Sequence, residues 1–163
     1  MNKFRLKKSN QIPRIKRITL NFGCKNFSVQ KFATTMLALE LIASKKAKIT
    51  IAKKPNILLK IQKGQPSGCK VILQNKEIYA FLTRLHLEIL PKFKNFAGFN
   101  IKTQTSSFFF NIPSNKIMLK EFEDHYPLFT NLPSLNIHVS TNTSQPKELL
   151  FLMKAMKFPI LKK

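Results

Sequence analysis

Short runs in which apolar and polar residues alternate constrain this chain more than anything else in it. Within Ile15–Phe22, the residues Ile18, Leu20 and Phe22 share one side, and Arg17, Thr19 and Asn21 share the other. Leu135, Ile137 and Val139 alternate with Asn136, His138 and Ser140. Cys69, Val71 and Leu73 follow the same rule, as do Ile57, Leu59 and Ile61. Successive side chains of an extended strand point to opposite faces, so each run reads as a strand with one buried and one wet side. Ile101–Thr105 and Phe108–Ile112 read as two further short strands turning at Ser106-Ser107, with Phe109 on the face opposite Phe108 and Phe110. Gly64–Gly68 has the composition of a turn. Pro55 has no N–H to give to a ladder, which puts Lys53–Asn56 at an edge or a loop tip.

Three stretches carry the longer helical period. Ser28–Ala43 has Phe32, Met36, Leu39 and Ala43 on one stripe, widened by Leu37 and Leu41, with Ser28 as N-cap. Asn75–Leu90 has Ile78, Phe81, Leu82, Leu85 and Ile89, and Pro91 stops it. Pro146–Lys157 has Leu149, Leu152, Met153 and Met156, with Ser144 as N-cap and Pro146 early, where proline is tolerated. Ser114–Asn131 shows little period and reads as mostly loop. The order of elements predicts an α+β, two-layer domain: an antiparallel or mixed sheet with helices packed over one face. Residues 1–163 read as one domain, with 1–10 a basic lead-in, and no internal repeat or linker divides them.

Charge then narrows the function. The 163 residues hold 29 Lys and Arg against 7 acids, a formal charge of +22. Self-repulsion at that level destabilises a compact monomer, and a bound polyanion relieves it. The cations are spread along the whole chain instead of gathering in a tail. Between Lys48 and Gln74 stand Lys48, Lys53, Lys54, Lys60, Lys63 and Lys70 with no acid. That stretch points to RNA phosphate as partner, with Lys45 and Lys46 extending it. An anionic membrane surface is the rival partner. No apolar run approaches the ~18 residues of a membrane span.

Catalytic patterns are thin. His86, His125 and His138 are far apart in sequence, with no Asp or Cys at triad or ligand spacing. Glu121, Glu123 and Asp124 form the one acidic cluster, which a metal-dependent nuclease could use and which otherwise reads as a solvated loop. Cys24 and Cys69 read as small, reduced side chains, too few for a disulfide framework or a zinc site. Gly64–Gly68 lacks the Gly-Lys-Ser/Thr ending of a phosphate-binding loop. No cofactor is called for. The Phe109 face could stack bases.

A set of segments in order carries a family resemblance. Gln11-Ile-Pro-Arg-Ile-Lys-Arg-Ile-Thr-Leu-Asn-Phe-Gly23, Ala52-Lys-Lys54, Gly64-Gln-Pro-Ser-Gly-Cys-Lys-Val71 and Phe81-Leu-Thr-Arg-Leu85 resemble the universal large-subunit ribosomal protein five of bacterial type. Leu90-Pro-Lys-Phe-Lys-Asn-Phe-Ala-Gly-Phe99, Leu135-Asn-Ile-His-Val-Ser-Thr141 and Lys157-Phe-Pro159 follow in family order, so the likeness covers residues 11–163. The short start implies that the family's usual N-terminal helix is missing or truncated. The resemblance implies a structural protein of the central protuberance, not an enzyme. Its implied partners are large-subunit rRNA, 5S rRNA, the elbow of P-site tRNA, a small-subunit head protein and other large-subunit proteins. It places the family's tRNA-facing hairpin on Lys53–Lys63, and so tRNA contact on Lys53, Lys54, Asn56, Lys60 and Lys63; with Asn21 matching the family, the charge pattern adds Lys25, Lys45, Lys46, Lys48 and Lys70 as the rRNA contacts. Departures bear on 5S rRNA. Asn21 matches the family's strand asparagine, but Lys46 stands for a glutamine, Ile72 for a threonine, and Ser107-Phe-Phe-Phe110 for a Gly-Asn-Tyr motif. Lysine offers charge without an acceptor, and isoleucine offers neither. With a composition rich in Lys, Asn, Ile and Phe, these departures imply a divergent, organelle-encoded mitochondrial version whose 5S rRNA is altered or absent.

Overall fold

A computed structural model describes residues 12–24, 28–58, 61–92, 98, 102–103, 106–114, 117 and 119–159. The basic lead-in 1–10, Lys25, Lys60 and most of the 92–100 loop lie outside the described residues. The strands are β1 (Ile15–Gly23), β2 (Lys48–Ile51), β3 (Pro66–Leu73), β4 (Lys102–Thr103), β5 (Ser107–Ile112) and β6 (Leu135–Thr141). They form one sheet in the order β2-β3-β1-β6-β5-β4. All of its pairings are antiparallel. The helices are α1 (Val29–Ala43), α2 (Lys76–Arg84), α3 (Lys120–Asp124), α4 (Tyr126–Phe129) and α5 (Pro146–Ala155).

Alternation decides which face is covered. Ile18, Leu20 and Phe22 of β1, Cys69, Val71 and Leu73 of β3, Leu135, Ile137 and Val139 of β6, and Phe108, Phe110 and Ile112 of β5 are all buried. They join one core with Ala38, Leu39 and Ile42 of α1, Ile78, Phe81 and Leu82 of α2, and Leu149 and Met153 of α5. Phe158 closes that core beyond α5. Its ring stands edge-on to Phe108, Phe110 and His86, with centroids 5.2, 6.0 and 5.9 Å apart. This is the two-layer α+β arrangement that the alternation predicts.

Local chemistry explains the helix ends. Ser28 caps α1, its hydroxyl accepting from the Lys31 N–H. The buried stripe of α1 centres on Thr35, Ala38, Leu39 and Ile42, so Leu37, expected to widen it, is instead 46% exposed. Downstream of α2 the chain widens into a π-helical turn, Leu85–Ile89, and then tightens into a 3₁₀ turn, Leu90–Lys92. The predicted helix therefore loses α geometry at Arg84, although its stripe from Ile78 to Ile89 is buried throughout. Pro91 accounts for this: it has no N–H for an α-helical bond, and its ring would strike the Leu87 carbonyl. Gln145, not Ser144, caps α5, in a reciprocal box with Glu148.

One further expectation fails, and two are only partly met. The start of the expected Ile57–Ile61 strand is not one: Ile57 and Leu58 sit in a turn, 92% and 94% exposed, below a single Asn56–Ile61 bridge, while Leu59 and Lys60 lie outside the described residues. Gly64–Gly68 turns only at its start: Lys63–Gln65 form the turn, with Gly64 at φ +89°, and β3 already begins at Pro66. Ser114–Asn131, read as mostly loop, holds α3 and α4, whose Phe122 and Phe129 rings stack 4.5 Å apart.

Gly68 is required by close packing. A Cβ there would lie 2.2 Å from the Phe22 carbonyl oxygen, whereas one at Gly23 would meet nothing within 4 Å. Gly68→Ala is expected to cost about 1–3 kcal/mol, as an added methyl in filled space does. Gly23→Ala should stay within about 0.5 kcal/mol in the same urea titration. The thiols give a second check. Burial, Cys24 and Glu40 push the Cys69 thiol up to about 12. Cys69 is fully buried and both cysteines are free. Iodoacetamide at mildly alkaline pH should therefore leave Cys69 unmodified until the chain is unfolded.

Candidate nucleic-acid interface

Arg17, Thr19 and Asn21 of β1 point away from the core. Among the described residues, no helix covers the face they occupy. Antiparallel register aligns that face into rows. Lys48 pairs with Lys70, Lys70 with Asn21, Asn21 with Asn136, and Asn136 with Asn111, one residue from each of five neighbouring strands. Beside that row lies a second: Ile72, Thr19, His138 and Phe109. Directly opposed side chains in such rows have Cβ atoms roughly 4.5–5.5 Å apart.

Charge is segregated by layer. All seven acids of the chain (Glu40, Glu77, Glu88, Glu121, Glu123, Asp124 and Glu148) fall on helical segments, and none falls on a strand. Several are engaged internally. Glu40 accepts from the Ala47 N–H at 2.8 Å. Glu88 pairs with Arg84 at 3.0 Å, and Glu123 pairs with Lys92. Glu148 closes the α5 capping box. The strands of the open face contribute cations, amides, hydroxyls and the His138 imidazole, and no acid.

The residues singled out in the sequence divide into two groups. Lys45, Lys46, Lys48 and Lys70 line one hollow of about 260 Å³ with Ile72 and Gln74. Asn21 adjoins it through Lys70. The fold thus gathers Asn21, Lys46 and Ile72, although they are far apart in sequence. Lys45 differs from its neighbours, because its ammonium donates to the Ile72 carbonyl at 3.0 Å and to Glu77 at 2.8 Å. Lys53, Lys54, Asn56 and Lys63 form the second group, all exposed on the loop between β2 and β3. That loop is anchored at its base by Ala52 N–H to Gln65 O and Gly64 N–H to Ala52 O. Asn136 and Asn111 entered no sequence-level site. Their signal is the asparagine on the polar side of each strand, but only the non-local register aligns them.

The catalytic candidates are not brought together. His138 stands in the second row of the open face, while His86 lies on a helical segment with its Nδ1 2.7 Å from the Leu82 carbonyl. Among the described residues, no group of three His, Cys, Asp or Glu could hold a metal ion. No described helix is long and apolar enough to cross a membrane.

Comparison with known proteins agrees with this geometry. A model of the C-terminal part of the ribosomal protein L5 family matches residues 66–160. Large ribosomal subunit protein uL5 of Wigglesworthia glossinidia brevipalpis is 33% identical over 164 residues, covering 99% of this chain and 91% of that protein. The chain belongs to the uL5 family. Its counterpart in Blochmanniella floridana is 31% identical, covering 98% of this chain and 85% of that protein. The uL5m of Reclinomonas americana, a mitochondrial member, is 30% identical over 166 residues, covering all of this chain and 91% of that protein. uL5 is a structural family of the large ribosomal subunit and not an enzyme family. This member is accordingly a ribosomal protein acting in translation, with rRNA and ribosomal proteins as its class of partner.

The Lys45–Glu77 pair has a titration signature. The Lys45 hydrogen bond, with a further one from the Gln74 N–H, holds the Glu77 carboxyl below its ordinary value. A depressed carboxylate pKa stabilises the fold above the unfolded value, and the contribution is lost as pH falls through the folded one. An NMR titration of the Glu77 carboxyl carbon should show a midpoint below the usual glutamate range. Lys45→Ala should move it back up, and an unmoved midpoint would mean that the pair is not formed in solution.

Proposed function

We propose that this chain is a central-protuberance protein of a mitochondrial large subunit. On this reading it holds large-subunit rRNA on the open sheet face and reaches P-site tRNA and the small-subunit head with the β2–β3 loop. One observation carries the proposal: the five-strand row Lys48-Lys70-Asn21-Asn136-Asn111 lies on a face without acids, in a chain of net charge +22. A surface of amides and cations suits RNA, where phosphate contacts position the partner and polar side chains read exposed edges. Lys46, Lys48, Lys70 and Asn21 form the rRNA side, with Lys25 beside them in sequence. Lys53, Lys54, Asn56 and Lys63, with Lys60, form the tRNA side.

Recognition of 5S rRNA is weakened on this reading. Lys46 and Ile72 line the same hollow and stand where the family resemblance places amide and hydroxyl groups. The hollow keeps its charge and loses paired donors and acceptors. The mitochondrial setting rests on the composition and on those two departures, since bacterial relatives are as similar to the chain as uL5m is.

Two experiments test the proposal. In gradient-purified mitochondrial large subunits, the chain should cosediment with the large-subunit rRNA, and a 5S rRNA hydrogen-bonded to Asn21 would sink the weakened-recognition part. With purified protein and rRNA, each phosphate contact contributes about 0.7–0.9 to the slope of log affinity against log salt. Lys48→Ala and Lys70→Ala should each flatten that slope by about this amount, and the Lys53→Ala, Lys54→Ala double variant should flatten the corresponding slope measured with tRNA by about twice it. The fold should be unchanged in every case. Lys45→Ala should leave the slope alone, because its ammonium is committed to Glu77. Unchanged slopes for Lys48→Ala and Lys70→Ala would remove the open face from the RNA interface.

A further inference from the structure

We propose that the β1–β6–β5 part of the open face is a pocket for an unpaired nucleobase of RNA. Phe109 supplies the stacking surface, and the asparagine amides supply the edge contacts. The inference rests on the RNA-facing assignment of the open face and adds what that face takes. Six side chains form a grid two deep and three wide: Thr19, His138 and Phe109 in one row, Asn21, Asn136 and Asn111 in the next. Strand spacing and residue rise make that grid roughly 10 by 7 Å. All six line a shallow groove of about 510 Å³.

Three features favour a base over any other occupant. Phe109 is 37% exposed, on the face opposite its buried neighbours Phe108 and Phe110, so part of a flat aromatic ring meets the groove. Unstacked RNA bases are held by stacking on aromatic side chains and by hydrogen bonds to their edges. The amides answer the edges: each presents a donor and an acceptor side by side, the combination every base edge requires. Asn111 spends one weak contact on Ser134 at 3.4 Å, and among the described residues nothing bonds the amides of Asn21 and Asn136. Lastly, the asparagine row runs without a break into Lys70 and Lys48. A nucleotide whose base lies on Phe109 and Asn136 has its neighbouring phosphates within reach of those ammonium groups. A groove for a protein segment would instead present a continuous apolar floor, and this one is amide on one side along its whole width.

The pocket demands single-stranded RNA, since a base inside a duplex cannot lie on Phe109. Anisotropy titrations of the full chain with a fluorescently labelled single-stranded RNA, and with a duplex of the same length, separate the two modes. Loss of one base stack is worth about 1–3 kcal/mol, so Phe109→Ser should weaken single-strand binding by roughly tenfold. It should leave duplex affinity and both salt slopes unchanged. Phe109→Tyr keeps the ring and should bind like the parent, and Asn136→Ala should weaken the single strand alone. Thermal melting of each variant confirms folding. Equal losses on single strand and duplex, or no loss on either, overturn the pocket, and the second result is what a face covered by a neighbouring protein would give. Should the parent chain bind neither RNA, the RNA-facing assignment falls with it. Tight, salt-sensitive duplex binding with an indifferent Phe109→Ser removes the base pocket alone.

Discussion

Everything in this structure depends on the parity of β1. It is hydrogen-bonded on both sides, to β3 and to β6, and its Ile18, Leu20 and Phe22 are fully buried. A slip of one residue in either pairing would turn an apolar set to solvent and bring polar groups into the core. Core burial therefore fixes register on both flanks at once. Once it does, Asn21 has no choice but to face outward between Lys70 and Asn136, and Thr19 between Ile72 and His138. The polar rows are the reverse side of the hydrophobic core, placed by the same constraint.

The separation of charge follows from what helices need. A helix exposes unpaired N–H groups at its start and attracts negative charge there. Glu77 and Glu148 occupy first turns, where Glu77 receives the Gln74 N–H and Glu148 that of Ser144. Strands make no such demand, since their N–H groups are spent on the ladder. With few acids to distribute, the chain has them all on helical segments, and the strand face keeps amides, hydroxyls, the His138 imidazole and cations as its polar groups.

What could be read from the residues was whatever declared itself locally. β1, β6 and β5 show their alternation within a few positions, and the stripes of α1, α2 and α5 repeat over several turns. The Ile57–Ile61 run has the same alternation, and yet its Ile57 and Leu58 lie in a turn: both are almost wholly exposed, with nothing among the described residues to cover them. Periodicity reports the capacity to be buried, not the presence of a covering layer. At Gly64–Gly68 the composition misleads in part, for the opposite reason. Pro66 begins β3, where its missing N–H does no harm, and Gly68 sits inside the strand because the Phe22 carbonyl leaves no room for a side chain. The five-residue α3 and four-residue α4 are too short for a stripe to accumulate. Within the site, the lysines were legible as isolated charges. The alignment of Asn111 and Asn136 with Asn21 was not, because it arises from pairings between distant segments.

The position of β1 between β3 and β6 also sets a timetable. β3 pairs with β1 through a connection of moderate length, but β6 begins only at Leu135, long after β1 ends at Gly23. During synthesis, β1 keeps one raw edge and part of its apolar face uncovered until β6 has emerged. Such long-range pairing is slow, and an uncovered edge invites association with other chains. A nascent chain of this design is most vulnerable before β6 emerges, and the arrival of β6 and then α5 ends that interval.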